Sequence, residues 1–232
     1  ESALLKGLKI NDADYGSVIL MEVETGDIKA ISNFSKNKSG YYTENYNYAI
    51  QGMHEPGSTF KLASILAYLE ETDSSIHDSI DTGEGEYKFY SELMKDHKPG
   101  GYGKITIKEV FEKSSNIGVA KMIDETFNRS PQIFLDYLRR FGFNDNFDFQ
   151  IFGSSKPQIK NSEDSTWSKV SLPWIAHGYE LMLTPLHTLS FYNAVANNGI
   201  YVQPRIVSNV KSANRLIEKF DNSTTKNIAG IR

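Results

Sequence analysis

The sequence contains no cysteine, so a disulfide framework, a thiol nucleophile and a thiolate metal site are all excluded. The same absence is compatible with a reducing or an oxidising compartment. Its five histidines, His54, His77, His97, His177 and His187, show no H-E-x-x-H or comparable ligand spacing, which argues against a zinc site. No stretch approaches the roughly 18 consecutive apolar residues that a membrane-spanning helix needs. The opening Glu1-Ser2-Ala3-Leu4-Leu5-Lys6 lacks the layout of a signal peptide and a starting Met. Neither sign of charge dominates: 25 Lys and Arg stand against 29 Asp and Glu, interspersed, for a formal net charge of -4. Nucleic acid and an anionic membrane surface are therefore not the expected partners. Internal repeats and low-complexity tracts are also missing.

A length of 232 residues with 39% hydrophobic content suits one large domain or two small ones around a packed core. The opening predicts a β-hairpin, alternating from Gly16 to Val23, turning at Glu24-Thr25-Gly26-Asp27 and returning over Ile28 to Ile31. Asn33 to Tyr48, rich in Asn, Ser and Tyr, reads as a loop, and the glycine-punctuated segment Thr72 to Gly103 as mostly irregular. Gly153 to Ser165 reads as a further loop. Thr106 and Glu109 form a capping box that opens a helix, and Ser130-Pro131 and Thr184-Pro185 each place a cap before a proline at the first helical position. The last of these helices runs through Leu186, Leu189, Tyr192 and Val195 and stops at Asn198-Gly199.

The tetrad Ser58-Thr59-Phe60-Lys61, entered through Glu55-Pro56-Gly57 and followed by an apolar run, puts a hydroxyl and an amine three residues apart in the first turn of a helix. Residues at that spacing are neighbours, so Lys61 can reach the Ser58 hydroxyl. Ser58 could instead be a simple N-cap. However, the usual partner three residues on is Glu or Gln, which suits the positive end of the helix dipole, and here a cation stands there. Burial and the dipole both push such an amine toward its neutral, proton-accepting form. Two fixed positions in four residues occur often by chance, and a second feature is needed. Ser114-Ser115-Asn116 supplies it, between the helix opened by Thr106 and renewed apolar periodicity at Ile117, Val119, Ala120 and Ile123. Taken alone, that cluster is best read as a helix cap.

The order of these motifs resembles that of the penicillin-binding proteins, S-x-x-K then S-x-N, and the wider phrases are similar to the transpeptidase domain of class B members. Glu55 to Lys61, Asp81-Thr82-Gly83, Ser114 to Gly118, Gly178-Tyr179-Glu180, Thr184-Pro185-Leu186 and Asn193 to Gly199 with Pro204 all match in order. The resemblance runs from about Gly16 to Val210 and is closest to the division-associated transpeptidases. The third family motif, Lys-Thr-Gly, does not occur. The chain ends Asn227-Ile228-Ala229-Gly230-Ile231-Arg232, where the family approaches an Ala-Gly-Lys-Thr-Gly strand, so the expectation is a C-terminally incomplete domain spanning 1–232.

The resemblance implies an α/β (α+β) fold of the β-lactamase/transpeptidase type, with an antiparallel sheet packed against helices and an all-helical lobe. It implies a peptidoglycan D,D-transpeptidase that cross-links stem peptides through a serine acyl-enzyme and is the target of β-lactams. Ser58 would be the nucleophile, Lys61 the general base, Ser114 a proton relay and Asn116 a positioning group, with Ser58, Ser114 and Asn116 also binding substrate. No cofactor and no metal are implied. The implied partners are stem peptides, their lipid-linked precursor, β-lactams and division or elongation proteins. The implied location is the extracytoplasmic face of a bacterial membrane, through an anchor and stalk outside this sequence. The alternatives are a catalytically inactive scaffold of the division machinery and a β-lactam sensor. Asp81-Thr82-Gly83, which occurs once, reads as a structural turn and not as an aspartic-protease triplet. Trp167 and Trp174 read as core. A Ser-His pairing of Ser58 with His54, and a deacylating role for Glu180, are both disfavoured.

Overall fold

The structure is a computed structural model that describes residues 1–147, 153–220 and 225–228. The chain divides into two units, one built from Glu1–His54, Asp145–Pro157 and Leu183–Arg232, the other from Glu55–Asn144 and Gln158–Met182.

In the first unit, helix α1 (Ser2–Ile10) precedes strands β1 (Tyr15–Met21) and β2 (Ile28–Lys36), which pair antiparallel with Gly16 opposite Phe34 and Leu20 opposite Ala30. Gly26 turns the hairpin in the left-handed region at φ 68, and a Cβ there would lie 2.9 Å from the Gln203 carbonyl oxygen. The expected loop from Asn33 to Tyr48 is corrected: residues 33–36 complete β2, and β3 (Tyr42–Thr43) adds a third strand to it. Polar composition misleads there because the polar side chains bond to protein. Asn33 donates to Asn47 Oδ1 at 3.0 Å and accepts from the Ala49 N–H at 2.9 Å, and Ser35 donates to Asn45 at 2.8 Å. The short helix α2 (Tyr48–Gln51) follows.

The second unit opens with a 3-10 turn, Gly57–Phe60, that runs directly into α3 (Lys61–Glu71). Outside three short strands, 72–103 is irregular as expected, but the expectation that it wraps the lobe without contributing to a core is corrected. Strand β4 (Ser79–Asp81) pairs with β7 (Lys104–Thr106), and β5 (Glu86–Phe89) pairs with β6 (Glu92–Lys95). Strands this short show too little alternation to be read from sequence, yet Phe89 and Met94 pack with Ile117 and Ala120 in a buried cluster that Trp174 borders. The Thr106 capping box forms as expected and starts α4 (Ile107–Glu112). Next come α5 (Asn116–Phe127) and α6 (Pro131–Arg140), then β8 (Gln158–Ile159), α7 (Ser171–Ala176) and β9 (Leu181–Met182), which pairs with β8. The unit expected to be all-helical thus carries three two-stranded pairs among its described residues.

Back in the first unit, Thr184 caps α8 (Pro185–Ala196) by accepting from the His187 N–H, and Asn198 and Gly199, at φ 54 and 80, end it as expected. Strand β10 (Ile200–Val202) pairs with the last described strand, which spans Thr225–Asn227. Between them, β11 (Asn209–Ser212) and β12 (Arg215–Lys219) form a hairpin whose turn residues Ala213 and Asn214 both have positive φ. The core of this unit gathers Met21, Ala49, Ile50, Phe147 and Leu186. The Ala229-Gly230 pair compared above with the approach to the third motif lies outside the described residues. No described helix is long and apolar enough to cross a membrane.

Candidate active site

Ser58 sits in the 3-10 turn that leads into α3, and this turn is shaped by two glycines. Gly57 takes φ 54, and its N–H donates to the Gly178 carbonyl at 3.0 Å. The Thr59 hydroxyl closes the turn by donating to the Pro56 carbonyl at 2.8 Å. The position of the helix start is a correction: the α-helix begins at Lys61, after Ser58, and its N-cap position is Phe60. Ser58 is therefore not an N-cap. In a 3-10 turn, side chains at i and i+3 eclipse, so Ser58 and Lys61 still share a face. Ser58 is exposed, while Lys61 is 1% exposed.

The buried Lys61 amine finds three acceptors: the Ser114 carbonyl at 2.6 Å, the Ser114 hydroxyl at 2.9 Å and Asn116 Oδ1 at 2.6 Å. These match the three donors of an ammonium group. Among the described residues no hydrogen bond joins Lys61 to Ser58, so the direct contact expected from spacing gives way to contacts with the second motif. Burial pushes the Lys61 amine down to about 8 from 10.5, and the Asp96 carboxylate opposes that shift.

The Ser-Ser-Asn cluster divides its duties. Ser115 is the N-cap of α5, accepting from the Gly118 N–H at 2.9 Å. Its neighbours carry the polar contacts to Lys61. Ser114 is held at φ 53, a left-handed conformation that is uncommon for a residue other than glycine. Asn116 opens α5, and its amide donates to the Lys95 carbonyl at 2.9 Å, which leaves Oδ1 as the atom facing Lys61. Gly118 must stay small, because a Cβ would lie 2.8 Å from Val110.

Two residues near Lys61 escaped the sequence reading. Asp96, 8% exposed, lies just beyond β6 in the segment read as irregular, and a lone acid there carries no motif. His177, 6% exposed, donates from Nδ1 to the Pro173 carbonyl at 2.9 Å. Burial, and secondarily the nearby Lys61 charge, hold the His177 imidazole down to about 4 against the opposing pull of that bond.

The remaining sequence candidates serve structure. The Gly83 N–H donates to the Asp81 carboxylate at 2.8 Å, a local turn as expected. His54 exchanges backbone hydrogen bonds with Leu183. Glu180 is paired with Lys160 at 2.6 Å, and its N–H donates to Glu55 at 2.9 Å.

The fold thus brings Ser58, Lys61, Ser114 and Asn116 of the two sequence motifs into one constellation around a buried amine. The family model for the penicillin binding protein transpeptidase domain matches residues 16–230, and the chain belongs to that family. Among curated relatives, the peptidoglycan D,D-transpeptidase FtsI of Escherichia coli strain K12 is 28% identical over 206 residues, covering 85% of this chain and 33% of that protein. The FtsI of Buchnera aphidicola subsp. Schizaphis graminum is 32% identical over 231 residues, covering 94% of this chain and 38% of its own length. The chain thus spans about a third of the length of these relatives. Among solved structures, penicillin-binding protein 3 of Mycobacterium tuberculosis complexed with aztreonam superposes with a TM-score of 0.85 at 22% identity, covering 98% of this chain and 51% of the other.

Proposed function

We propose that this chain is the catalytic part of a peptidoglycan D,D-transpeptidase that works through a serine acyl-enzyme at Ser58. The observation that carries the proposal is the buried Lys61 amine, which shares a face with Ser58 and is held by Ser114 and Asn116. With its amine near 8, about one molecule in ten has a neutral Lys61 at pH 7. That neutral form takes the Ser58 proton as Oγ attacks the carbonyl of the penultimate D-alanine of a stem peptide. The Oγ–C bond forms, the bond to the terminal D-alanine nitrogen breaks, and Ser114 relays the proton from Lys61 to that departing amine. The Ser58 N–H, early in a helical turn, supplies one donor to the oxyanion. An amine of a second stem peptide then attacks the ester, releases Ser58 and forms the cross-link. β-Lactams acylate the same hydroxyl. The division role is supported by the two FtsI relatives, and the extracytoplasmic membrane location by the same likeness.

The test is incubation of the protein with a fluorescent penicillin, followed by intact and peptide mass spectrometry. The expected result is one label, on the peptide containing Ser58, and none in Ser58→Ala. Labelling that persists in that variant removes Ser58 as the nucleophile.

A further inference from the structure

We propose that Asp96 is a positioning residue for this site: its carboxylate holds the backbone of Ser115-Asn116-Ile117 and thereby sets where Ser114 and Asn116 meet Lys61. The inference rests on the acyl-enzyme reading above for its kinetic arm only. Asp96 Oδ1 accepts from the N–H groups of Asn116 at 2.6 Å and Ile117 at 3.1 Å, and Oδ2 accepts from the Ser115 hydroxyl at 2.8 Å. Three consecutive residues are gripped by one buried carboxylate. Two of the bonds go to backbone N–H groups in the first turn of α5, which have no partner inside the helix and lie at the positive end of its dipole.

The grip falls immediately after Ser114, the residue at φ 53. A non-glycine residue persists in that region only where its surroundings over-determine it: the Ser114 and Ser115 N–H groups donate to the Phe111 and Val110 carbonyls at 3.0 Å each, at the end of α4, and two further sets of contacts flank the residue. Lys61 binds the Ser114 carbonyl and hydroxyl from one side. Asp96 fixes the next three residues from the other. Strand β6, which delivers Asp96, is itself tied to α5. The Asn116 amide donates to the Lys95 carbonyl, Met94 and Phe89 pack on Ile117 and Ala120, and at the tip of the hairpin the Tyr90 hydroxyl donates to Asp124, 3.3 Å away near the far end of α5. The β5–β6 hairpin is therefore a strap along α5 that ends in the Asp96 grip, and the loss of one carboxylate would free the active-site end of the helix.

Asp96 also bears on the charge of the amine. The ionisable groups that interact with Lys61 are Asp96, which favours its protonated form, and His177 of α7's C-terminal end. Of the charged groups on the other elements packed against α3, Glu109 of α4 pairs with Lys113 and Lys108 with Glu112, Lys121 of α5 donates to the Asp81 carbonyl, Asp124 accepts from Tyr90, and Arg139 of α6 pairs with Asp136; Glu125 of α5 and Arg140 of α6 are the others.

The experiment compares the wild-type protein with Asp96→Asn and Asp96→Glu. Two readouts are used: penicillin acylation rates from pH 6 to 10, and direct titration of the Lys61 amine by NMR on lysine-labelled protein, assigned with Lys61→Arg. In Asp96→Asn the Lys61 titration and the acid limb of acylation should both move to lower pH, because an anion that favoured the charged amine is gone. The plateau rate should fall about tenfold to a hundredfold, since one amide oxygen cannot accept what two carboxylate oxygens did. Asp96→Glu should keep the titration near its wild-type position while lowering the plateau. A purely structural role predicts the opposite movement: water entering a loosened site would carry Lys61 up toward the free-lysine value. An unmoved or raised titration in Asp96→Asn overturns the proposal. Should that variant not fold, Ser115→Ala removes one of the three bonds and leaves the charge; an unaltered plateau there overturns it equally. The NMR arm does not depend on acylation, so a protein inert to penicillin would sink the functional reading while this inference is still decided.

Discussion

A Cβ placed on Gly178 would lie 2.1 Å from the carbonyl oxygen of Gly57, the residue before Ser58. The backbone of one loop is thus pressed against the turn that presents the hydroxyl, with the Gly57 N–H bonded to the Gly178 carbonyl at 3.0 Å. Gly178 also takes φ 91, which is costly for any other residue. Gly178→Ala is therefore expected to lower stability by about 2 kcal/mol or more. In the protein that still folds, acylation at Ser58 should slow disproportionately. Urea unfolding paired with penicillin labelling measures both, and wild-type values for both would show that the turn does not need this contact.

Lys61→Arg puts a permanent cation where the proposed base stands. A guanidinium does not lose its proton near neutral pH. Acylation is expected to slow by about a hundredfold to ten-thousandfold, with circular dichroism showing a preserved fold. A near-normal rate would assign the proton transfer to another group.

The buried amine has a stability signature with a definite sign. Its folded value, about 8, lies below the ordinary 10.5, so between those pH values the unfolded chain binds more protons. Stability from this group is therefore lowest below pH 8 and rises as pH climbs toward 10.5. Comparison with Lys61→Met isolates the effect from other titrating groups. The stability of the Met variant relative to wild type should decline across that window by up to about 3 kcal/mol. A difference constant with pH would mean that the amine is not desolvated.

Two imidazoles contribute on the acid side. Burial holds His177 and His187 at about 4, against 6.5 for a free histidine. His187 Nε2 donates to the Asp145 carbonyl at 3.1 Å, which makes Nδ1 the acceptor for the Thr184 hydroxyl at 2.7 Å in the neutral ring; a second proton would place a charge in a buried site. The unfolded chain binds more protons between pH 6.5 and 4, so stability should fall as pH drops through that window, by a few kcal/mol on the order of magnitude. Urea midpoints at pH 7 and pH 4.5 test this, with His177→Gln and His187→Gln each expected to flatten the dependence. The same slope in both variants would exclude the histidines as its source.

The local signals of the sequence reached the structure intact where they depend on neighbours in the chain. The hairpin before the first motif, the Thr106 capping box, and the cap-then-proline start and Asn198-Gly199 stop of α8 all stand as expected. Each follows from side chains bonding to backbone within a few residues, or from one residue's φ preference.

What the sequence could not determine was where the Lys61 amine would point and which groups would hold it. The amine bonds to Ser114 and Asn116, far along the chain, and not to the Ser58 hydroxyl three residues away. That choice is made by burial, because an ammonium group removed from water must find acceptors in the protein and α5 is the element that brings them. Asp96 shows the same limit more sharply. It sits in a segment whose strands are too short to show a period, and only the pairing of β5 with β6 and their packing on α5 turn an unremarkable acid into the anchor of three consecutive residues. Sequence alone thus determined the chemical groups and their local turns. The tertiary structure decided their partners, because a buried polar group is satisfied by whatever the fold packs against it, irrespective of distance along the chain.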